Sequence, residues 1–170
     1  YKVETTMAWK FDDIVLYGTS DFMDMQEESI EDYKLTKSWA FLHAESKDEW
    51  PQQLNVYRWL AWKNGILEPK KLNTWAFFRD FNQGQANFNP SYPQAPVLKI
   101  GQPVWDMELI EEFILKRLDL HRLASQGYVK DCTGKERWAN ADEHKIKLPN
   151  GNRAIFKSDN KQDAEAKLTE

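Results

Sequence analysis

With 170 residues, 8 Trp, one Cys and 14% aromatic residues, the chain is long enough for a domain with a real core and too aromatic to be disordered. The lone Cys132 excludes a disulfide framework and any multi-Cys zinc or iron–sulfur site, and the lack of an apolar run of ~18 residues excludes a spanning helix. A net charge of −4 and a pI near 5.5 argue, at first sight, against a nucleic-acid partner.

Val3 to Phe11, rich in Thr, Val, Met and Trp, is predicted as a strand that turns at Asp12-Asp13. Ile14 to Met25 is the second strand of that hairpin, and Gly18 inside it points to a bulge or a close backbone approach. Ser29 to Trp39 alternates as a third strand. Asp48 to Gly65 is the clearest helix, with Asp48 as N-cap, Pro51 in the first turn and Gly65 at its end. Leu72 to Phe81 is an apolar run of strand length, predicted to be central and buried. Asn82 to Pro103, with several Pro, Asn and Gln, is mostly loop, with a short strand at Val97–Ile100. Asp106 to Leu123 is a second amphipathic helix, with Leu109, Ile110, Phe113, Ile114 and Leu118 on or near one face. Beyond Lys130 come Trp138, a hairpin around Pro149-Asn150-Gly151 and a polar helix near Gln162–Leu168. The order β-β-β-α-β-loop-α predicts a mixed α/β core over 1–125 and a small appended segment over 126–170.

The acidic excess is not uniform. Residues 1–50 carry 5 basic and 12 acidic side chains, 51–129 carry 9 and 7, and 130–170 carry 9 and 8. Most surface acids simply solvate a face. Those inside strand patterns are costly unless they have a task.

In Ile30-Glu31-Asp32-Tyr33-Lys34 the alternation of a strand puts Asp32 and Lys34 on one side, roughly 7 Å apart at Cα, and Glu31 and Tyr33 on the other. The preceding strand offers Asp21 in Gly18-Thr19-Ser20-Asp21, and pairing the two strands can bring both carboxylates together. Two such groups repel unless one is protonated or a cation lies between them. Carboxylates plus water suit Mg²⁺ or Mn²⁺, and a neighbouring lysine can orient water and stabilise charge on an attacked phosphate. A cross-strand Asp–Lys pair is also common on any solvated sheet. Gln53 and Tyr57, spaced i, i+4, share one helix face and can bind a phosphate oxygen or hold the lysine.

Taken in order, GTSDF, IEDYK and PQQLNVY resemble the RecB-like branch of the PD-(D/E)XK nuclease superfamily, whose motifs are G-x-x-D, (D/E)-x-K and Q-x-x-x-Y. The resemblance covers about residues 1–80. Downstream, Phe78-Arg79-Asp80-Phe81, Tyr92-Pro93, the long helix and Cys132-Thr133-x-x-x-Arg137-Trp138 are similar to phage members of that superfamily. It implies a restriction-endonuclease-like core, a central mixed sheet flanked by helices. It also implies Asp21 and Asp32 as ligands of Mg²⁺ or Mn²⁺, Lys34 as the catalytic lysine, and Gln53 and Tyr57 as the fourth motif. The implied activity is metal-dependent hydrolysis of DNA, exonuclease rather than endonuclease, in the cytoplasm (the host's, for a phage protein) and away from any membrane. Such nucleases begin with a helix that supplies a Glu or His. This chain instead opens at Tyr1 in strand pattern, with neither an initiator Met nor a leader, which predicts a fragment lacking that helix. Glu4 is the one substitute carboxylate in reach, against a plain surface strand residue. The alternative function is a non-catalytic nucleic-acid-binding or assembly module with the same fold; a third reading is an ordinary α/β protein.

Other residues are expected to be structural. His43, His121 and His144 have no ligand spacing, and Cys132 has no catalytic partner, so a buried structural thiol is expected. Asp24 is expected at a turn or edge, and Trp59, Trp62 and Ile66 form a core stripe. Residues 130–157 hold 7 basic and 4 acidic side chains, of which Lys135, Arg137, Lys145, Lys147 and Arg153 could track a phosphate backbone.

Overall fold

The computed structural model describes residues 1–42, 48–134, 137, 143–148 and 153–168. The chain divides into two units, Tyr1–Ser125 and Gln126–Glu170. In the first, strands β1 (Lys2–Phe11), β2 (Ile14–Asp24), β3 (Ser29–Thr36), β4 (Lys71–Phe78) and β5 (Val97–Gln102) form one sheet in that spatial order. β1, β2 and β3 run antiparallel to one another as a meander, β3 and β4 are parallel, and β5 returns antiparallel to β4. A parallel neighbour requires a long crossover, which here contains α1 (Ser38–Leu42) and α2 (Glu49–Lys63). The remaining helices of this unit are α3 (Gln83–Phe88) and α4 (Met107–Ser125).

The core lies between one face of the sheet and the helices α2 and α4. Met7, Met23, Ile30 and Leu72 from the strands meet Leu54, Trp59 and Leu60 of α2 and Ile110, Ile114 and Leu118 of α4. A second cluster joins Ala40, Trp50, Ala76 and Phe78. The other face carries Tyr33 and Phe77 in ring contact, and Glu31, buried under donors from Ser29, Asn73, Trp75 and Lys99.

The long helix ends as its sequence dictates. Gly65 takes φ 63°, its N–H bonds Trp62 O at 3.0 Å, and the Ile66 N–H bonds Ala61 O at 3.0 Å, a Schellman closure that only glycine enters freely. At its start Asp48 occupies the N-cap position with helical φ and ψ and makes no side-chain cap. Two polar residues tie α2 to the connections around it. Asn55 donates to Pro103 O at 2.9 Å and accepts from Trp105 N at 2.9 Å, its other donor staying within the helix on Pro51 O at 2.8 Å. Arg58 donates to Pro69 O at 2.7 Å and Trp105 O at 2.8 Å.

Several expectations need correction. The third strand stops at Thr36, because Asp80 captures both the N–H and the hydroxyl of Ser38, at 2.7 and 3.0 Å, and turns the chain into α1. The fourth strand stops at Phe78 rather than Phe81. The segment expected to be mostly loop holds α3, capped by Asn82, whose side chain accepts from Gln85 N, while the short strand expected at Val97–Ile100 is β5, running on to Gln102. Trp59 is fully buried, but Trp62 is 40% exposed, under Lys63 at 4.8 Å. Leu109 is exposed on α4. Asp24 closes β2 and accepts from Gln26 N and Glu27 N, a turn position as expected. His43, Trp138 and the Pro149-Asn150-Gly151 turn lie outside the described residues.

In the second unit, β6 (His144–Lys147) and β7 (Ala154–Ser158) pair antiparallel beside α5 (Lys161–Leu168), with Ile146 and Ala164 buried. Cys132 is exposed, not buried, in a stretch without regular structure.

Candidate active site

The site begins where β2 leaves β3. Their ladder runs from Asp24↔Ser29 to Phe22↔Glu31 and stops. The next position would set Asp21 against Asp32. There the backbone N–H of Tyr33 donates to the Asp21 carboxylate at 2.9 Å, so a side chain takes the place of a strand carbonyl. The inward residues of β2 change phase at the same point, from Gly18 and Ser20 to Met23, and across the β1–β2 ladder Glu4 has φ 44°. Glu4 itself is exposed.

Asp32 is 3% exposed, on the side of β3 that faces α2. Its Oδ2 lies 3.0 Å from Lys34 Nζ, an ion pair without hydrogen-bond alignment, and its Oδ1 lies 3.4 Å from Gln53 Nε2. Burial, foremost, pushes the Asp32 carboxyl above its usual range; Lys34 opposes this and the charge of Asp21 adds to it. Lys34 Nζ donates to Gln53 Oε1 at 2.8 Å, and Gln53 Nε2 donates to the Tyr57 hydroxyl at 2.8 Å. Gln53 and Tyr57 are therefore successive links that fix the amide on the lysine, with i, i+4 spacing on α2 giving both the same outlook. Of the ammonium's three N–H donors one is given to Gln53, while Asp32 pairs with its charge.

Gly18 is a close approach and not a bulge: a Cβ there would lie 2.6 Å from Tyr57 Cε1 and 3.0 Å from Cδ1. The glycine of the first motif thus makes room for the tyrosine of the last.

The only buried side-chain polar atoms without a hydrogen-bond partner among the described residues are Asp32 Oδ2 and Thr74 Oγ1. Asp32 and Thr74 are register partners on β3 and β4, so their side chains stand abreast, ~4.8 Å apart at the strand spacing. Sequence reasoning missed Thr74, since no local pattern marks a hydroxyl whose meaning comes from a strand more than forty residues away. Both oxygens keep an acceptor direction open, Asp32 Oδ2 beside its ion pair with Lys34, and oxygen acceptors are what a hard cation takes. Among the described residues no group of three or more His, Cys, Asp or Glu is placed to hold a metal ion; the acidic groups at this point are the pair Asp21 and Asp32.

The basic residues of the second unit are less uniform than their composition suggests. Arg137, Lys145, Lys147 and Arg153 are exposed, but Lys145 is paired with Glu143, which also binds Lys157 at 3.0 Å. Lys135 lies outside the described residues. No protein-family model matches the chain, and no characterised protein matches it. No helix among the described residues is long and apolar enough to cross a membrane.

Proposed function

We propose that the protein is a metal-dependent deoxyribonuclease of the PD-(D/E)XK superfamily, RecB-like and acting as an exonuclease on DNA in the cytoplasm. The observation that carries the reading is the Asp32–Lys34 ion pair continued by hydrogen bonds through Gln53 to Tyr57, beside Asp21, on a meander whose third strand is followed by a crossover helix and a parallel strand. That order of elements supports the restriction-endonuclease-like fold.

Asp21 and Asp32 would hold Mg²⁺ or Mn²⁺, which when bound polarises a phosphoryl oxygen and eases ionisation of water. Lys34 keeps one N–H direction for the attacking water or the phosphate, and its charge stabilises the charge that builds on the phosphoryl group. Gln53 holds the ammonium in place, so little reorganisation is left for the moment of reaction.

The test is cleavage of linear single- and double-stranded DNA with Mn²⁺ or Mg²⁺ by wild type and Lys34→Ala, alongside calorimetric titration with Mn²⁺. Wild type should cut and bind the ion stoichiometrically, Lys34→Ala should lose about 10²–10³-fold in rate while keeping the ion, and Asp32→Ala should lose both. Equal rates for wild type and Lys34→Ala refute the role of the lysine. A protein that binds DNA but no Mn²⁺ is the non-catalytic module instead.

A further inference from the structure

The parallel strands β3 and β4 end side by side, Thr36 against Phe78, and the Arg79 N–H donates to Thr36 O at 3.0 Å. The next residue beyond each matched position is a cation, Lys37 after Thr36 and Arg79 after Phe78. Both are exposed, and neither forms an ion pair among the described residues. Like charges set abreast on neighbouring strands repel. Asp80, the adjoining acid, does feel Lys37, but its Oδ1 is spent on Ser38 N and Oγ, and that Oγ lies 2.8 Å from the Tyr92 hydroxyl. These bonds hold both strand ends in place, so the pair of cations is presented on a fixed backbone.

An open cleft of about 550 Å³ is lined by Leu35, Thr36, Lys37, Trp39, Ala40 and Arg79. Its size falls within the ~300–1,000 Å³ of small-ligand sites. It also lies at the carboxyl ends of parallel strands, where open mixed sheets receive ligands. Trp39, 58% exposed, lines the same opening as the two cations. A cation pair and an aromatic plane at one opening match the two halves of a nucleotide, phosphate and base. Lys37 follows Lys34 by three residues, about 10 Å along the strand. That is within reach of phosphates neighbouring a scissile one, which recur every ~3.4 Å of axis in a B-form strand.

We propose that this cleft is a nucleotide subsite for the DNA strand being cut, with Lys37 and Arg79 on a backbone phosphate and a base stacked on Trp39. The proposal rests on the nuclease reading, and its test separates the two.

Fluorescence anisotropy with a labelled single-stranded oligonucleotide in Ca²⁺ measures binding of the full chain without turnover. Lys37→Ala/Arg79→Ala should weaken binding at least tenfold at low salt and reduce the salt slope by about 0.7, the loss of one neutralised phosphate on a single strand. Trp39→Ala should weaken binding about tenfold with an unchanged slope. Lys70→Ala/Lys71→Ala, an equal charge change at the start of β4, should stay within about threefold of wild type. With saturating substrate and Mn²⁺, the Lys37→Ala/Arg79→Ala variant should keep its kcat and raise KM. If its affinity and slope match those of Lys70→Ala/Lys71→Ala, the subsite is refuted while the nuclease reading stands. If wild type neither binds nor cleaves DNA, the nuclease reading itself fails.

Discussion

Gly18→Ala is the substitution that most directly tests how the sheet and helix α2 share the site. The new methyl would stand 2.6 Å from Tyr57 Cε1, 3.0 Å from Cδ1 and 3.4 Å from Leu60 Cδ1. Carbon atoms rest about 3.5–4.0 Å apart, so the ring must retreat by roughly 1 Å. Overpacking of this kind costs about 1–3 kcal/mol, partly offset by the 0.4–1 kcal/mol that alanine gains by restricting the unfolded chain. A net loss of about 1–2 kcal/mol should lower Tm by about 3–8 °C at this size. The hydroxyl on that ring sits 2.8 Å from Gln53 Nε2, so the retreat also breaks the link that holds Gln53 on Lys34. A 1 Å displacement at such a position can cost about 10²-fold in rate. Scanning calorimetry on a double-mutant cycle with Tyr57→Leu isolates the contact, since leucine lacks the ring atoms that clash. Gly18→Ala should cost at least 1 kcal/mol less in the Tyr57→Leu background. Costs that add to within about 0.5 kcal/mol would refute the close approach as the reason for glycine.

Glu31→Gln should destabilise the protein by about 2–4 kcal/mol near neutrality, because it removes a buried charge that four donors share. Burial alone would raise the Glu31 carboxyl, but the bonds from Ser29, Lys99, Asn73 and Trp75 outweigh it and hold the group below the ordinary 4.5. A depressed carboxyl stabilises the fold above its unfolded-state value and loses that contribution as pH falls through the folded value. The gap between wild type and Glu31→Gln in urea titrations should therefore narrow below pH 4.5, and a gap constant down to pH 3 would count against the network. Thr74→Val should raise stability by about 0.5–1.5 kcal/mol, against the usual direction for a buried polar residue, since its hydroxyl has no partner to lose. A loss above about 1 kcal/mol would mean that the hydroxyl is satisfied.

The parts of this fold that were legible in the sequence are those decided locally. Asp12-Asp13 between two alternating runs specified the β1–β2 hairpin, and Gly65 specified the end of α2 through a left-handed φ. Asp32 and Lys34 could be put on one side of a strand from alternation, and Gln53 and Tyr57 on one side of a helix. What could not be read is what distant segments impose. Ser38 continues a good strand pattern and leaves it only because Asp80 binds its N–H and hydroxyl. Trp62 fits the core stripe by spacing, yet Lys63 rather than the core covers its ring. The order of the links, Tyr57 on Gln53 and Gln53 on Lys34, also required the actual separation of α2 from β3.

The anchoring of α2 by Asn55 and Arg58 bears on how this molecule can change over generations. Apolar contacts have no preferred direction, and a helix resting on them alone can slip one residue, which is 1.5 Å of travel and 100° of roll. Hydrogen bonds to the Pro103, Trp105 and Pro69 carbonyls and from the Trp105 amide are directional, and they fix α2 against both motions. Leucine, methionine or isoleucine can then exchange beneath the helix, and the error in fit is absorbed by the core instead of being passed on to Gln53 and Tyr57. The aiming of the site is decoupled from the drift of the interior.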